Sequence, residues 1–532
     1  MSFNRIFTNG KIFTADRENR EANAMIICNG KISWIGKEED MPSVVGEKID
    51  LQGRRVLPAF IDAHLHPLML AETSKQLACT PPGVTSIEDM VQALKKLREE
   101  QSPDSWIEGW GYDEGKLEEG RTPNRHDLDQ AAKNVPIVLT RTCTHILSVN
   151  SKALEIAGIT KHTPDPPGGK IDRDEYGEPT GVLRESAGDL VKNKMPVKSL
   201  EEKVGALAEY SDTFLAQGIT GITEMMADHR PIDYFEIYKA AVEKGMKQRV
   251  ALYYNWDEFQ QLDLNDPALF DRKQSVYIAG IKLFADGSIS GQTAWVHPAF
   301  IGDDENAGIS TTSREELLEA GEAAKKYGIQ LAVHAMGEQA IDQVIDTFYK
   351  RADWLEGAPS VRVEHASLPT VRAIQRAAES GIAFVTQPIF LFAEIESYLN
   401  NLGEERSRNT YPVKNILEKG IQVAFSSDAP ATAWGDPVNP FVGLGAAVNR
   451  KAYDGSDIGQ EQAISIETAV ELYTKAAQEV VRIPFVGRLA LGFHADFIVL
   501  EKDILQVDKA DISSMTVEET YMGGEKVYQK KV

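Results

Sequence analysis

The chain has 532 residues, 42% hydrophobic and 26% charged, a composition that excludes a disordered or fibrous protein and exceeds what one core usually holds. Asp plus Glu outnumber Lys plus Arg by 80 to 57, and the formal charge of −23 would repel a phosphate backbone, so nucleic acid is not an expected partner. No run of about 18 apolar residues occurs and the first stretch, MSFNRIFTNGKIFTADRENR, lacks the apolar segment of a secretory leader, so no membrane partner is expected and the expected address is cytoplasmic. Cys28, Cys79 and Cys143 are widely spaced and odd in number, which predicts buried thiols rather than a disulfide framework or a thiolate zinc site.

Along the chain, residues 1–55 hold short alternating stretches, RIFTNGKIFTA, AMIICNGKISWIG and EKIDLQGRRV, punctuated by Asn-Gly and Gly, which are hairpin signals. The far end, with GRLALGFHADFIVLEKD and VEETYMGGEKVYQ, has the same texture. Residues 1–55 and 480–532 are therefore expected to form one composite β-sandwich domain.

Between them, over 56–479, short apolar runs alternate with helical patterns, as parallel strands linked by helices do. Strands are predicted near 56–64, 218–226, 248–255, 279–286, 329–335, 361–366, 381–387 and 421–428. Eight such strands predict an α/β fold built on a closed (β/α)8 TIM-like barrel. The connecting helices are readable: SREELLEAGEAAKKYG opens on Ser313 with Glu316 three residues on and stops at Gly328, and TVRAIQRAAESG repeats the pattern. The interval 71–210 is too long for one crossover and carries its own helix, SIEDMVQALKKLREE, and its own strands. It is read as an inserted α/β domain after strand 1 that caps a substrate pocket.

In such a barrel the active site lies at the C-terminal ends of the strands. Strand 1 ends with His64 and His66, strand 4 carries Lys282, strand 5 ends with His334, strand 6 with His365 and strand 8 with Asp428. A single histidine in an apolar strand is more often a core residue. Four of the chain's ten at the tips of three strands, with an aspartate at a fourth, point instead to a catalytic divalent metal, zinc before manganese or iron. A divalent ion activates water and polarises a carbonyl, as hydrolysis of an amide C–N bond requires. Asp428 is the candidate catalytic general base and then general acid. An ammonium at Lys282 would repel a cation, so Lys282 fits the site only as an anionic carbamate able to bridge two metals; the alternative is a lysine paired to a structural carboxylate.

The segments DAHLHP, GIKLFADGS, VHAMGEQA, EHAS and SSDAP together resemble the amidohydrolase superfamily, in particular its YtcJ-like branch, which includes N-substituted formamide deformylases. The resemblance runs over nearly the whole chain. It implies His64 and His66 on one metal with Asp428, His334 and His365 on a second, and Lys282 as the bridging carbamate. It is specific for the family and weak on the substrate.

Candidates for the substrate pocket are Trp110, Tyr112 and Asp113 in EGWGYDE, Arg141 and His145 in RTCTHIL, Glu185 in GVLRES, and Trp295 after GSISGQTA. Aromatic rings would suit a hydrophobic N-substituent, and Arg or His could hold a polar group. His145 is also a catalytic candidate, because the resemblance places its motif near the substrate. Asp286 to Ser288 is expected to shape the loop after Lys282. The expected activity is hydrolysis of a small non-peptide amide such as an N-substituted formamide. A cyclic amide, an ester or a deaminase substrate on the same site stays open, as does a non-catalytic regulatory or binding protein that keeps the fold. A homodimer is compatible with a barrel of this size, although no residue pattern decides it.

Overall fold

The structure, a computed structural model, describes residues 4–102, 105–142, 146–166, 169–196, 198–432 and 434–531. Contacts divide the chain into two units, one made of residues up to Leu68, Val204–Asp428 and Val438 to the C-terminus, the other of Met69–Lys203 with Ala429–Pro437.

Eight parallel strands, paired in chain order, organise the first unit: β1 Phe60–Leu65, β2 Ile219–Ala227, β3 Arg249–Asn255, β4 Val276–Phe284, β5 Gln330–Ala335, β6 Val361–His365, β7 Ala383–Thr386 and β8 Val423–Phe425. Every residue of β1, β6, β7 and β8 is buried. That burial explains why these strands read as continuous apolar runs rather than as an alternation. No backbone ladder pairs β8 with β1. The seam is bridged just past the end of β8, where the Asp428 amide donates to the His64 carbonyl at 2.7 Å and the Ser427 amide to Asp62 Oδ1 at 3.1 Å.

The helices stop and start where their sequence says. Ser313 Oγ accepts from the Glu316 amide at 3.1 Å to open Arg314–Tyr327, and Gly328, at φ 66°, closes it in the left-handed region. Thr370 and Gly381 frame Val371–Ser380 in the same way.

The strand expected over 56–64 is two strands. Arg55–Pro58 pairs with Phe497–Leu500 and Lys11–Phe13, and the chain then passes through Ala59 into β1. Both halves are apolar, so the pattern does not reveal the break. Arg55–Pro58 belongs to a six-stranded sheet with Glu21–Ala22, Lys11–Phe13, Phe497–Leu500, Val517–Met522 and Glu525–Gln529. A four-stranded sheet of Lys31–Gly36, Ala24–Cys28, Asn4–Thr8 and Glu47–Asp50 packs on it: Phe7 meets the Phe497 and Tyr521 rings edge-on at 5.1 and 5.4 Å between centroids. Of the two Asn-Gly pairs, Asn29-Gly30, with φ 50° and 77°, makes the expected hairpin turn. Asn9-Gly10 does not, since the strands on either side of it enter different sheets.

The second unit holds a six-stranded sheet in the order Gly169–Arg173, Pro179–Glu185, Ile146–Val149, Ile137–Arg141, Ile107–Tyr112, Leu77–Ala78, and the helix Ile87–Glu100 capped by Ser86. Cys79 is buried and Cys28 only half-buried; Cys143 lies outside the described residues. Among the described residues no helix is long and apolar enough to cross a membrane.

Candidate metal centre

His64 is the penultimate residue of β1 and His66 lies just past its end, so strand alternation sends both imidazoles the same way. Asp428 returns to them from the end of β8: its Oδ1 lies 2.9 Å from His66 Nε2 and 3.4 Å from His64 Nε2. One donor atom from each of these three buried residues falls within 4.8 Å of the others. Asp428 and His365 both sit in the left-handed region, at φ 55° and 70°, a conformation that costs free energy for residues other than glycine and collects at functional sites. His66 Nδ1 and Asp428 Oδ1 are buried without a well-aimed hydrogen bond. An imidazole and carboxylate cluster with unsatisfied buried atoms suits a divalent cation.

His334 and His365 stand beside this cluster, with ring centroids 4.4 Å apart and His365 4.8 Å from His64. Their hydrogen bonds define which nitrogen is free. His64 Nδ1 meets Glu364 Oε2 at 2.6 Å, His365 Nδ1 meets Gln387 Oε1 at 2.9 Å, and His334 Nε2 meets the Gly287 carbonyl at 2.9 Å. Each partner is an acceptor, so the bonded nitrogen carries the hydrogen. The lone pairs are left on His64 Nε2, His365 Nε2 and His334 Nδ1. The Gln387 amide is oriented by its own Nε2, which donates to Ser426 Oγ at 2.9 Å. Lys282, 1% exposed, has no hydrogen bond or ion pair among the described residues; its Nζ lies 5.0 Å from the Phe284 ring centroid.

The sequence reading missed the groups that hold these side chains. Glu364, next to His365, is clasped by Arg362, whose Nε also donates to it and whose Nη2 reaches Glu364 Oε2 at 3.0 Å. Arg362 is fully buried and also donates to the Ala63 carbonyl and to the Tyr253 hydroxyl at 3.1 Å; Tyr253 in turn donates to Gln330 Oε1 at 2.6 Å. On β2, Glu224 Oε1 lies 3.6 Å from His66 Nδ1, and its Oε2 accepts from the Tyr238 hydroxyl at 2.6 Å. Asp286 accepts from the Trp295, Met336 and Gly337 amides at 2.9, 3.0 and 2.8 Å, which ties down the loop after β4 as its sequence position suggested. A charged residue inside an apolar run was the available signal for Glu224, Arg362 and Glu364.

Charge states follow from burial and neighbours. Burial, followed by the Lys282 charge, holds His64 well below the usual imidazole value and His365 at about 3. Burial, then His365 and Lys282, do the same for His334. Burial also disfavours charge on His66, but Asp428 and Glu224 outweigh it and lift His66 to about 9. Lys282 is lowered by burial to about 8, against the pull of Glu364 and Asp428. Asp428 stays below the usual carboxylate value because His64, His66 and Lys282 overcome its burial.

The pocket candidates fare unevenly. Trp110, Tyr112, Asp113, Arg141 and Glu185 belong to the second unit and Trp295 to the first, while His145 lies outside the described residues. Tyr112 is 0% exposed, in a core with Cys79, Met90 and Leu139, and its hydroxyl accepts from Ser148 Oγ at 3.0 Å. The ring thus packs in the core of this unit. Arg141 pairs with Glu114 at 2.9 Å and with Asp113 at 3.5 Å, so each of these two candidates already neutralises a neighbour. Trp110 and Trp295 are half-buried, and Glu185 is exposed at φ 50°.

YtcJ of Bacillus subtilis is 30% identical, with 99% of each chain covered, and the N-substituted formamide deformylase of Arthrobacter pascens is 28% identical, with 98% of each covered. The crystal structure of an uncharacterized metal-dependent hydrolase from Pyrococcus horikoshii OT3 superposes with a TM-score of 0.77 at 27% identity, covering 95% of this chain and 99% of that one. Residues 47–528 match the amidohydrolase family, and the chain belongs to it as a metal-dependent hydrolase of carbon–nitrogen bonds.

Proposed function

We propose that this hydrolase cleaves the amide C–N bond of a small non-peptide substrate, with N-substituted formamides as the leading class. The observation that carries the reading is the set of directed imidazole lone pairs: three histidines have their other nitrogen fixed by an acceptor, which is how proteins prepare imidazoles for a metal. The substrate class rests on the relative from Arthrobacter pascens, matched over 98% of both chains.

His64, His66 and Asp428 would hold one divalent ion, zinc before manganese or iron, and His334 and His365 a second, with Lys282, once carboxylated, as a shared ligand. The buried Lys282 amine, without a hydrogen bond or ion pair among the described residues, fits that modification, because carboxylation would replace a buried cation by an anion. When bound, the metal supplies a polarised carbonyl and water of lowered pKa. Asp428 takes the proton of the attacking water and delivers it to the leaving nitrogen. Glu364 and Gln387 keep His64 and His365 in the tautomer that binds, and Glu224 steadies His66.

The test is a screen of N-alkyl and N-aryl formamides, N-acyl amines, cyclic ureides and esters against protein reconstituted with zinc or manganese, reading formate or amine release. Formamide turnover that disappears in Asp428→Asn and in chelated protein is expected. Reconstituted protein that retains no metal, or turns over none of the four classes, rules the reading out.

A further inference from the structure

At the N-terminal ends of β4 and β5, away from the histidine tips, a small cleft is lined by Phe270, Arg272, Tyr277, Gly328, Gln330 and Arg482. Its two guanidinium charges are not neutralised. Among the described residues neither arginine has a carboxylate partner; Arg272 Nη1 donates to the Arg482 carbonyl at 3.2 Å and Arg482 Nη1 to the Gly328 carbonyl at 3.4 Å. Tyr277 is 1% exposed and its hydroxyl has no hydrogen-bond partner. A buried hydroxyl in that state is rare and costs free energy.

The three groups act on one another. Burial and then the charge of Arg272 hold Arg482 below its ordinary value, and both guanidinium charges oppose the rise that burial imposes on the Tyr277 hydroxyl. In a chain of formal charge −23, carboxylates are plentiful, and two neighbouring guanidinium groups left without one repel each other unless an anion lies between them. No carboxylate lines the cleft.

We propose that this cleft binds a small oxyanion, a carboxylate or inorganic phosphate, held by the guanidinium groups of Arg272 and Arg482 and by the Tyr277 hydroxyl. Planar guanidinium forks match paired oxygens of either anion, and the phenol adds a neutral donor from the barrel interior. The small size of the cleft limits the occupant to a compact anion. None of these three residues is among those assigned to the metal centre.

Calorimetric titration of the metal-loaded full chain with inorganic phosphate and with acetate, at ionic strength held constant with chloride, tests this. Saturable binding of one of them is expected, weakened at least tenfold by Arg272→Gln and by Arg482→Gln and several-fold by Tyr277→Phe. Arg272 is exposed, so Arg272→Gln keeps the test valid should the other variants fail to fold. Preference for phosphate or for acetate identifies the phosphoryl or carboxylate form of the ligand. Absence of saturable binding by both anions overturns the proposal, as does binding that Arg272→Gln leaves unchanged; a parallel loss in Asp428→Asn would then place the anion at the metal centre.

Discussion

Glu364 on β6 and His64 on β1, 300 residues apart in the chain, meet at 2.6 Å inside the barrel, Oε2 against Nδ1. The carboxylate both fixes the tautomer and makes the far nitrogen more basic. Glu364→Gln can present its amide nitrogen or oxygen to His64 but has no charge. Metal affinity is expected to fall about 10–100-fold, with turnover recovering when metal is raised to saturation; competition with a chromophoric chelator measures it. An unchanged affinity would show that Glu364 only fills space.

Arg362 exists to balance that carboxylate. Both residues are 0% exposed, so removing one leaves the other charged and unpaired. Arg362→Met is expected to destabilise the fold by about 3–5 kcal/mol, whereas Arg362→Met with Glu364→Leu should cost less than Arg362→Met alone. Urea denaturation of the variants gives the comparison, and a double variant less stable than the single one would count against the charge-balance argument.

Metal uptake should be linked to pH through His66. In the metal-free chain His66 titrates at about 9, raised by Asp428 and Glu224 against its burial, so between the ordinary imidazole value and about 9 it holds a proton that a metal must displace. Apparent affinity is therefore expected to rise about tenfold per pH unit up to about 9 and level off above. Calorimetry at neutral pH in bicarbonate-free buffers of different protonation enthalpy should show about one proton released per ion at this site. A flat pH dependence would mean that His66 is already neutral.

Lys282 supplies a chemical signature. If it bridges as a carbamate, protein reconstituted in ¹³C-bicarbonate should show a carbamate carbon resonance, absent from Lys282→Arg, and the variant should retain less metal than the wild type. A resonance of equal intensity in both proteins would assign it to another amine.

The eight barrel strands were legible because buried parallel strands are apolar on both faces, and the tip residues His64, His66, His334, His365 and Asp428 stood out against those runs. What the chain order concealed was pairing in space. Glu224, Arg362 and Glu364 look like interruptions of a strand until the barrel sets Glu364 against His64 and Glu224 beside His66. The break at Ala59 was hidden because Arg55–Pro58 and Phe60–Leu65 are equally apolar while serving different sheets. The burial of Tyr112 was hidden for a related reason: whether an aromatic ring is exposed or buried depends on the neighbours that fold over it, here Cys79, Met90 and Leu139.

The Asp428 amide donates to the His64 carbonyl at 2.7 Å across the gap between the last and first barrel strands. The same two residues thus serve as a clasp with their backbones and as candidate ligands with their side chains. Such a barrel cannot part at this edge without pulling its ligands apart, and a bound ion would act as a rivet on the join. Exchange of the Asp428 amide hydrogen with solvent therefore becomes a gauge of occupancy: slow when the ion is present, faster when it is stripped, with the amides of central strands such as β4 changing far less.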